Sequence, residues 1–341
     1  MIRKFGTTVV FLGGVALAAG LSVHAGVKPT LQAIGAVGWT GLLELCAVQM
    51  VSVVLCGLAW WAVTDGAGPV ACLLSRWIRD GATNLLGFIP AMGEGVSARA
   101  LALIGGAGAG GAAASTIVDV AVESLSQVVY TLLAFVFLFP HLGVHEARKW
   151  GLIVAASVVP VLLMVLVSRH RGALHWAQRM AAKVAKLFGI ETSPHFSLAD
   201  AVHALYRRPV RMIVAFLLHL VAWTTGAVQI WMASHAIGAP ITLADGLALH
   251  GLICAAKSSF FLVPYAAGVQ EGAFILVGAV LHLSPAEAIA LSFILRGRDV
   301  VLGAPPVLLW YLVEARRKLR SSSEAGESSS GSSTRPKVET F

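Results

Sequence analysis

The chain has 341 residues, of which 57% are hydrophobic and 12% charged, and its mean hydropathy is +0.81. Soluble proteins carry about 25% charged residues and need polar surface to cover a core, so this composition excludes a soluble enzyme and specifies a multi-pass membrane protein. The net charge is +8, from 25 Lys and Arg against 17 Asp and Glu. The basic residues sit where apolar stretches end and no basic face is interleaved with aromatics, so the excess marks cytoplasmic loops and not a nucleic-acid surface.

A first apolar stretch, 5–24, follows Arg3 and Lys4. Val23-His24-Ala25 at its end also fits a signal peptide, but its length, in a chain of many spans, favours a retained helix. Full spans are predicted at 36–63, 113–139, 151–168, 210–235 and 287–312. Residues 82–110 and 243–283 are apolar but interrupted by Gly, Pro and charge, and Gly105 to Gly111 is nearly all Gly and Ala. Such stretches make poor straight helices and are predicted as half-helices or re-entrant hairpins packed inside the protein. The expected fold is therefore an all-α polytopic integral membrane protein. It has about six full transmembrane helices and two broken or re-entrant regions in a unit spanning 1–320, with no separate soluble catalytic domain.

The basic connector 169–209 carries Arg169, Arg171, Arg179, Lys183, Lys186, Arg207 and Arg208, with Arg211 just beyond. The last span ends in Arg316, Arg317, Lys318 and Arg320, whereas connector 236–242 has no Lys or Arg. Both termini and the long connector are thus expected on the cytoplasmic side. Within the connector, Ala177, Met180, Ala181, Val184, Leu187 and Phe188 oppose Arg179, Lys183 and Lys186. That pattern suits a helix lying on the membrane face or a solvated connector helix. The Ser-rich tail 321–341 lacks an apolar period and is expected to be disordered.

The four cysteines, Cys46, Cys56, Cys72 and Cys254, form no CxxC and no Cys/His cluster in sequence. Neither a metal site nor a disulfide framework is predicted, and the thiols read as small apolar residues. No GxSxG, HExxH, Walker loop or dinucleotide fingerprint is present. No catalytic residue and no cofactor is therefore assigned.

The two broken regions resemble each other. FIPAMGEG at 88–95 and LVPYAAGVQEG at 262–272 each run through apolar residues, Pro, small residues and Gly to Glu-Gly. Ser115 and Asp119 lie 21 and 25 residues beyond Glu94; Ser292 and Arg296 lie 21 and 25 beyond Glu271. The units, about 82–139 and 243–312, follow spans ending on opposite sides, the first in the cytoplasm near Arg76 and Arg79 and the second outside at 236–242, and so enter the membrane from opposite sides. Inverted repeats with broken helices, and a site near the midplane, are the usual build of secondary transporters; a plain helical bundle is the alternative. Pro90, Gly93, Gly95, Pro264, Gly268 and Gly272 mark the breaks, where glycine permits tight turns and close approach.

Charged groups near the bilayer centre cost roughly 2.5–3.5 kcal/mol each. Glu44, Glu94, Arg99, Asp119, Glu123, Lys257, Glu271, Arg296, Arg298 and Asp299 all lie in apolar segments. Asp119 and Glu123 share a helix face, as do Arg296 and Asp299. Cross-repeat ion pairs would neutralise both sets. Structural pairing of helices and a polar cavity for a lipid headgroup both fit. Glu94 and Glu271 are placed to cap a half-helix or meet a cationic headgroup, and Lys257 to pair with either. His250 reads as a packed residue, and Glu287 as an N-terminal helix charge.

NLLGFIPAMGEG from Asn84, VDVAVESLSQ at 118–127, VPYAAGVQEG at 263–272 and LSFILRGRDVVLGAP at 291–305 resemble the flippase-like integral membrane superfamily. That superfamily includes the membrane part of lysylphosphatidylglycerol synthases, and the closest branch is the hopanoid-biosynthesis-associated membrane proteins. The resemblance implies a lipid-handling domain of a bacterial inner membrane, with a polar-headed lipid, a hopanoid or related, as substrate. It also implies re-entrant helices and a lipid-headgroup cleft at Glu94, Asp119, Glu123, Glu271, Arg296, Arg298 and Asp299, to which the residue reading adds Lys257. Hopanoid-synthesis enzymes are the implied partners, and lysyl transfer is not expected. The chain departs from the pattern at Asp119, which has no adjacent Arg. A membrane-embedded lipid-modifying transferase, or a scaffold for hopanoid-synthesis enzymes, are the alternatives to lipid translocation.

Overall fold

A computed structural model describes residues 19–21, 23, 26–86, 91–176, 178–179, 197–260, 263 and 266–331, with side chains as far as 316. Among these residues there is no strand. The helices are α1 (Val27–Ala62), α2 (Pro69–Leu86), α3 (Met92–Ile104), α4 (Ala109–Leu138, extended by a 3₁₀ turn Phe139–His141), α5 (Val144–Arg169), α6 (Leu198–Tyr206), α7 (Pro209–Ala236), α8 (Leu243–Ser259), α9 (Val269–Val280) and α10 (Pro285–Gly331).

Among the described residues, four helices are long and apolar enough to cross a membrane: α1, α4 with its 3₁₀ extension, α5 and α7. They coincide with four of the expected full spans. The expected span 5–24 and the surface helix about 177–188 lie wholly or mainly outside the described residues; of the tail 321–341, expected to be disordered, residues 321–331 instead continue α10 as helix and the rest lie outside the described residues. The expected span 287–312 is helical within α10, but Arg296, Arg298 and Asp299 keep it out of the apolar set. Helix α5 buries only Val154 and Ser157. A helix this apolar with so little contact belongs on the lipid-facing perimeter.

The second helix of each hairpin, α3 and α9, is too short to span. α3 has 13 residues and α9 has 12; at 1.5 Å per residue these reach about 20 and 18 Å, against roughly 30 Å of hydrocarbon. Each returns along the helix before it, α3 on α2 and α9 on α8. At one end of the bundle the α3–α4 link comes back to the α1–α2 loop: a Cβ on Gly105 would sit 3.1 Å from Ala67 and 3.2 Å from Ala71. Asp65, in that loop, pairs with Arg208 (2.6 Å) and Arg211 (2.8 Å) at the start of α7. At the other end His141 pairs with Asp245 at the start of α8 (2.9 Å). Leu281 and Leu283, between α9 and α10, join the core beside Ile241 there. The hairpins α2–α3 and α8–α9 therefore enter the bundle from opposite ends.

The packing pairs off in the same way. α1 lies against α7; α2 contacts α10 as α8 contacts α4; α1 contacts α10 as α7 contacts α4. One apolar core gathers Leu45, Leu138, Ile230, Leu249, Phe274 and Leu291, and a second gathers Trp60, Cys72, Leu101, Val118 and Val202. Without a strong hydrophobic drive between helices in lipid, close approach needs small residues. α2 and α10 meet at Gly81 and Gly303, where a Cβ on Gly81 would lie 2.7 Å from the Gly303 carbonyl oxygen. Thr242 and Asp245 close a capping box on α8, and Glu287, expected as an N-terminal helix charge, accepts from Ser284 N–H (2.7 Å) before α10.

Candidate functional site

The two breaks share a backbone solution. The residue before α3 is Ala91, with φ +61°, and the residue before α9 is Gly268, with φ +75°. A left-handed alanine costs roughly 1–2 kcal/mol, so the turn at Ala91 is held by what surrounds it. Glu94 and Glu271 each occupy the third helical position after that turn. Gly93 permits close approach, since a Cβ there would meet Thr83 Oγ1 at 2.0 Å. Gly95 and Gly272 face open space and have neither role expected of them. Pro90 and Pro264 lie outside the described residues.

Around the α9 break the charges close on themselves. The Glu271 carboxylate is buried; it accepts from Arg296 Nε (2.7 Å) and Nη2 (3.2 Å), from Ser292 Oγ (3.1 Å) and from the Gly268 N–H (2.9 Å). Gln270 Nε2 donates to Ser292 Oγ (2.9 Å). Glu271 thus caps α9 and neutralises Arg296 at once, and the spacings of 21 and 25 residues noted in the sequence are direct contacts.

The corresponding group at the α3 break is wired differently. Arg296 has Asp119 as its counterpart, so the cation must come from elsewhere, and α2 supplies it. Arg79 reaches Glu94 (3.2 Å), Asp119 (3.3 Å) and Glu123 (3.0 Å). Arg76 donates to both oxygens of Glu123 (2.7 and 3.0 Å), and its Nε lies 3.0 Å from Asp80. Asp119 also pairs with His219 of α7 through Nε2 (3.0 Å). Ser115 is engaged by Trp60, whose indole N–H donates to its Oγ (3.2 Å). The expected cross-repeat pairing of Arg296 with Asp119 is therefore replaced: Arg296 pairs inside its own unit with Glu271, and Asp119 pairs with Arg79 and His219, which precede and follow the 82–139 unit.

Arg76 and Arg79, read from sequence as rim charges at a cytoplasmic helix end, are instead buried at 7% exposure each. Exposure of the acidic side chains rises from 1% at Asp119 through 12% at Glu123 and 24% at Asp80 to 32% at Glu94, which marks the side on which the cluster opens. Counting helical rise inward from the helix ends puts Arg79, Asp119 and His219 roughly 15 Å from one end of the bundle. The same count puts Glu271 and Arg296 roughly 15 Å from the other. Both clusters fall near the middle of a ~30 Å hydrocarbon layer.

The remaining expected residues divide. Arg298 donates to Gln229 and to Asp299 (2.5 Å), and Gln229 donates to Gln49 (3.0 Å), tying α10 to α7 and α1. Lys257 is half-buried near the end of α8 and makes no ion pair among the described residues; it bonds neither Glu94 nor Glu271. Arg99 is exposed and pairs with Glu314. Glu44 is exposed on α1. His250 is packed: its Nδ1 lies 3.2 Å from the Tyr130 hydroxyl, and a Cβ on Gly226 would overlap its ring.

Sequence reasoning missed Arg76, Arg79, His219, Gln229 and Cys56. Cys56 of α1, Glu123 of α4 and His219 of α7 each offer a donor atom, and these lie within 4.8 Å of one another. Sequence spacing hides this Cys/His/Glu group because its members come from three helices. The described cysteines are all free thiols.

Helices of spanning length, short hairpin helices entering from opposite ends, and ion-paired charges deep between them define a polytopic membrane protein with a polar interior. The chain belongs to the lysylphosphatidylglycerol synthase transmembrane-region family, whose profile matches residues 10–305. This is a family of membrane domains with a lipid-related function. No curated protein and no solved structure matches the chain.

Proposed function

We propose that this protein binds a polar-headed membrane lipid, a hopanoid or a related lipid, between two inverted hairpin units and moves it from one leaflet to the other. In this reading it sits in a bacterial inner membrane with both termini cytoplasmic, and the acyl or polycyclic tail stays in lipid while the headgroup passes the charged interior. The observation that carries the reading is the pair of buried ion clusters at the two helix breaks. A charge at mid-membrane costs roughly 2.5–3.5 kcal/mol, and an unpaired buried polar group also carries a penalty. Two such clusters are an expensive feature for a bundle that only has to pack, and they are the partners a desolvated headgroup needs. The antiparallel run of α1 and α7, pinned at one end by Asp65 with Arg208 and Arg211, supports the inverted arrangement. Basic residues at that end support its cytoplasmic placement.

In the paired state described, the clusters are closed on themselves. Lys257, half-buried and without an ion pair among the described residues, is the cation best placed to meet an anionic headgroup first. The test is purified protein in liposomes carrying a panel of headgroup-labelled lipids. Protein-dependent movement of at least one lipid without covalent change is expected, and Lys257→Ala should slow it while the protein stays folded by size-exclusion profile. A new covalent lipid product would point to a transferase instead. Absence of movement across the panel would overturn the proposal.

A further inference from the structure

The cluster around Asp119 contains one arrangement that lipid handling does not use. We propose that Cys56, Glu123 and His219 form a binding site for a thiophilic divalent cation, zinc by its donor set, in the interior of the bundle. The proposal stands on this geometry alone and does not depend on the transport reading.

Three observations support it. First, the donors are a sulfur, a nitrogen and an oxygen from α1, α7 and α4, within 4.8 Å of one another and at the hydrophobic interior. Around a tetrahedral zinc with bonds of about 2.0–2.3 Å such donors stand roughly 3.5 Å apart, so closure requires side-chain shifts of about 1 Å. Thiolate with imidazole is a pairing that selects zinc over magnesium or calcium.

Second, His219 is fully buried, and its Nδ1 has no hydrogen-bond partner among the described residues. The other ring nitrogen, Nε2, lies 3.0 Å from Asp119 Oδ1. A carboxylate only accepts, so Nε2 carries a proton, and Nδ1 offers a lone pair to an ion once any proton of its own is released. A carboxylate holding the far side of a histidine ring is the usual support of a metal-bound imidazole.

Third, the charges do not balance. Arg76 and Arg79 face Asp80, Glu94, Asp119 and Glu123, two cations against four anions. With a neutral imidazole the cluster carries an excess of two negative charges in a low-dielectric interior. A divalent cation bound with loss of the thiol proton adds one net positive charge and halves that excess. On binding, the Cys56 thiol gives up its proton to the medium. Glu123 accepts from Arg76 at both oxygens and from Arg79 at Oε2, and the roughly four lone pairs of a carboxylate leave one at Oε1 for the ion.

The full-length protein in detergent micelles, stripped with a chelator, is loaded with Co²⁺ and separately with Zn²⁺. Co²⁺ should give a thiolate-to-metal charge-transfer band, and mass spectrometry should find one retained Zn²⁺ per chain. Cys56→Ser should remove the band, His219→Gln should lower zinc retention at least tenfold, and Cys254→Ser should leave both unchanged. The wild-type spectrum needs no variant to fold. A wild type that shows no thiolate band, or a band that survives Cys56→Ser and disappears in Cys254→Ser, overturns the site.

Discussion

Arg79→Met removes the side chain that touches Glu94, Asp119 and Glu123 together. Its methylene volume is largely kept, so the change is mainly electrostatic. Asp119, with its side chain 1% exposed, is left with His219 at 3.0 Å and Arg76 at 3.9 Å. Removing one partner of a buried pair costs about 3–5 kcal/mol because the other charge stays uncompensated. That is roughly two to four orders of magnitude in the folding equilibrium, a large share of the about 5–15 kcal/mol that holds typical proteins folded. Arg208→Ala is the control: Arg208 is exposed and shares Asp65 with Arg211, and exposed pairs are worth at most about 1 kcal/mol. Thermal unfolding in detergent, followed by size-exclusion fluorescence, should show a large loss for Arg79→Met and a small one for Arg208→Ala. The double variant Arg79→Met, Asp119→Asn restores the charge balance and should recover much of the loss. If Arg79→Met melts like Arg208→Ala, or if the double variant is no better than the single, the buried-cluster reasoning is wrong.

Glu271→Gln should destabilise, because it weakens the bonds to Arg296 and to the α9 cap together. Charge-assisted bonds are worth about 1.5–3 kcal/mol, and denaturant unfolding in micelles measures the loss. Gly81→Leu should separate α2 from α10, since even a Cβ would stand 2.7 Å from the Gly303 carbonyl; a melting temperature unchanged from wild type would refute that crossing. The Asp65 carboxyl is held below its ordinary 3.8 first by the Arg208 hydrogen bond, with burial opposing and Arg211 adding. A lowered folded-state value means the stabilisation is complete above 3.8 and fades as pH falls through the lower folded-state value. The stability difference between wild type and Asp65→Asn should therefore be flat at neutral pH and vanish in strong acid.

The fold's outline was legible because long apolar runs and Gly-Pro breaks act locally. The Glu271, Ser292 and Arg296 spacing was legible as a repeat register but not as contacts: a hairpin turns a spacing of 21 or 25 residues into adjacency, whereas the expected partner of Arg296 was Asp119 across the repeats. The matching spacing from Glu94 leads to Asp119, and a carboxylate cannot neutralise a carboxylate. The missing cation comes from Arg79, on the helix before the break and outside the repeated register. Arg76 and Arg79 were read as rim residues because basic residues usually mark helix ends. The clue was their placement on the face of α2 that also carries Cys72, Ser75 and Ile78, which are buried with them. His219 and Cys56 gave no local signal, since a single polar residue in an apolar span acquires meaning only from the helices packed on it.

The account rests on two hairpins entering the membrane from opposite sides with their charges meeting the interior. In a chain whose native cysteines are replaced by serine or alanine, single cysteines at Gly106 and at His282 mark the links that follow α3 and α9. Labelling with a membrane-impermeant thiol reagent in sealed vesicles of known orientation reads the side each link faces. Label at Gly106 from the cytoplasmic side only and at His282 from the opposite side only is the predicted result. Label at both positions from the same side would contradict the inverted arrangement and the transport path built on it.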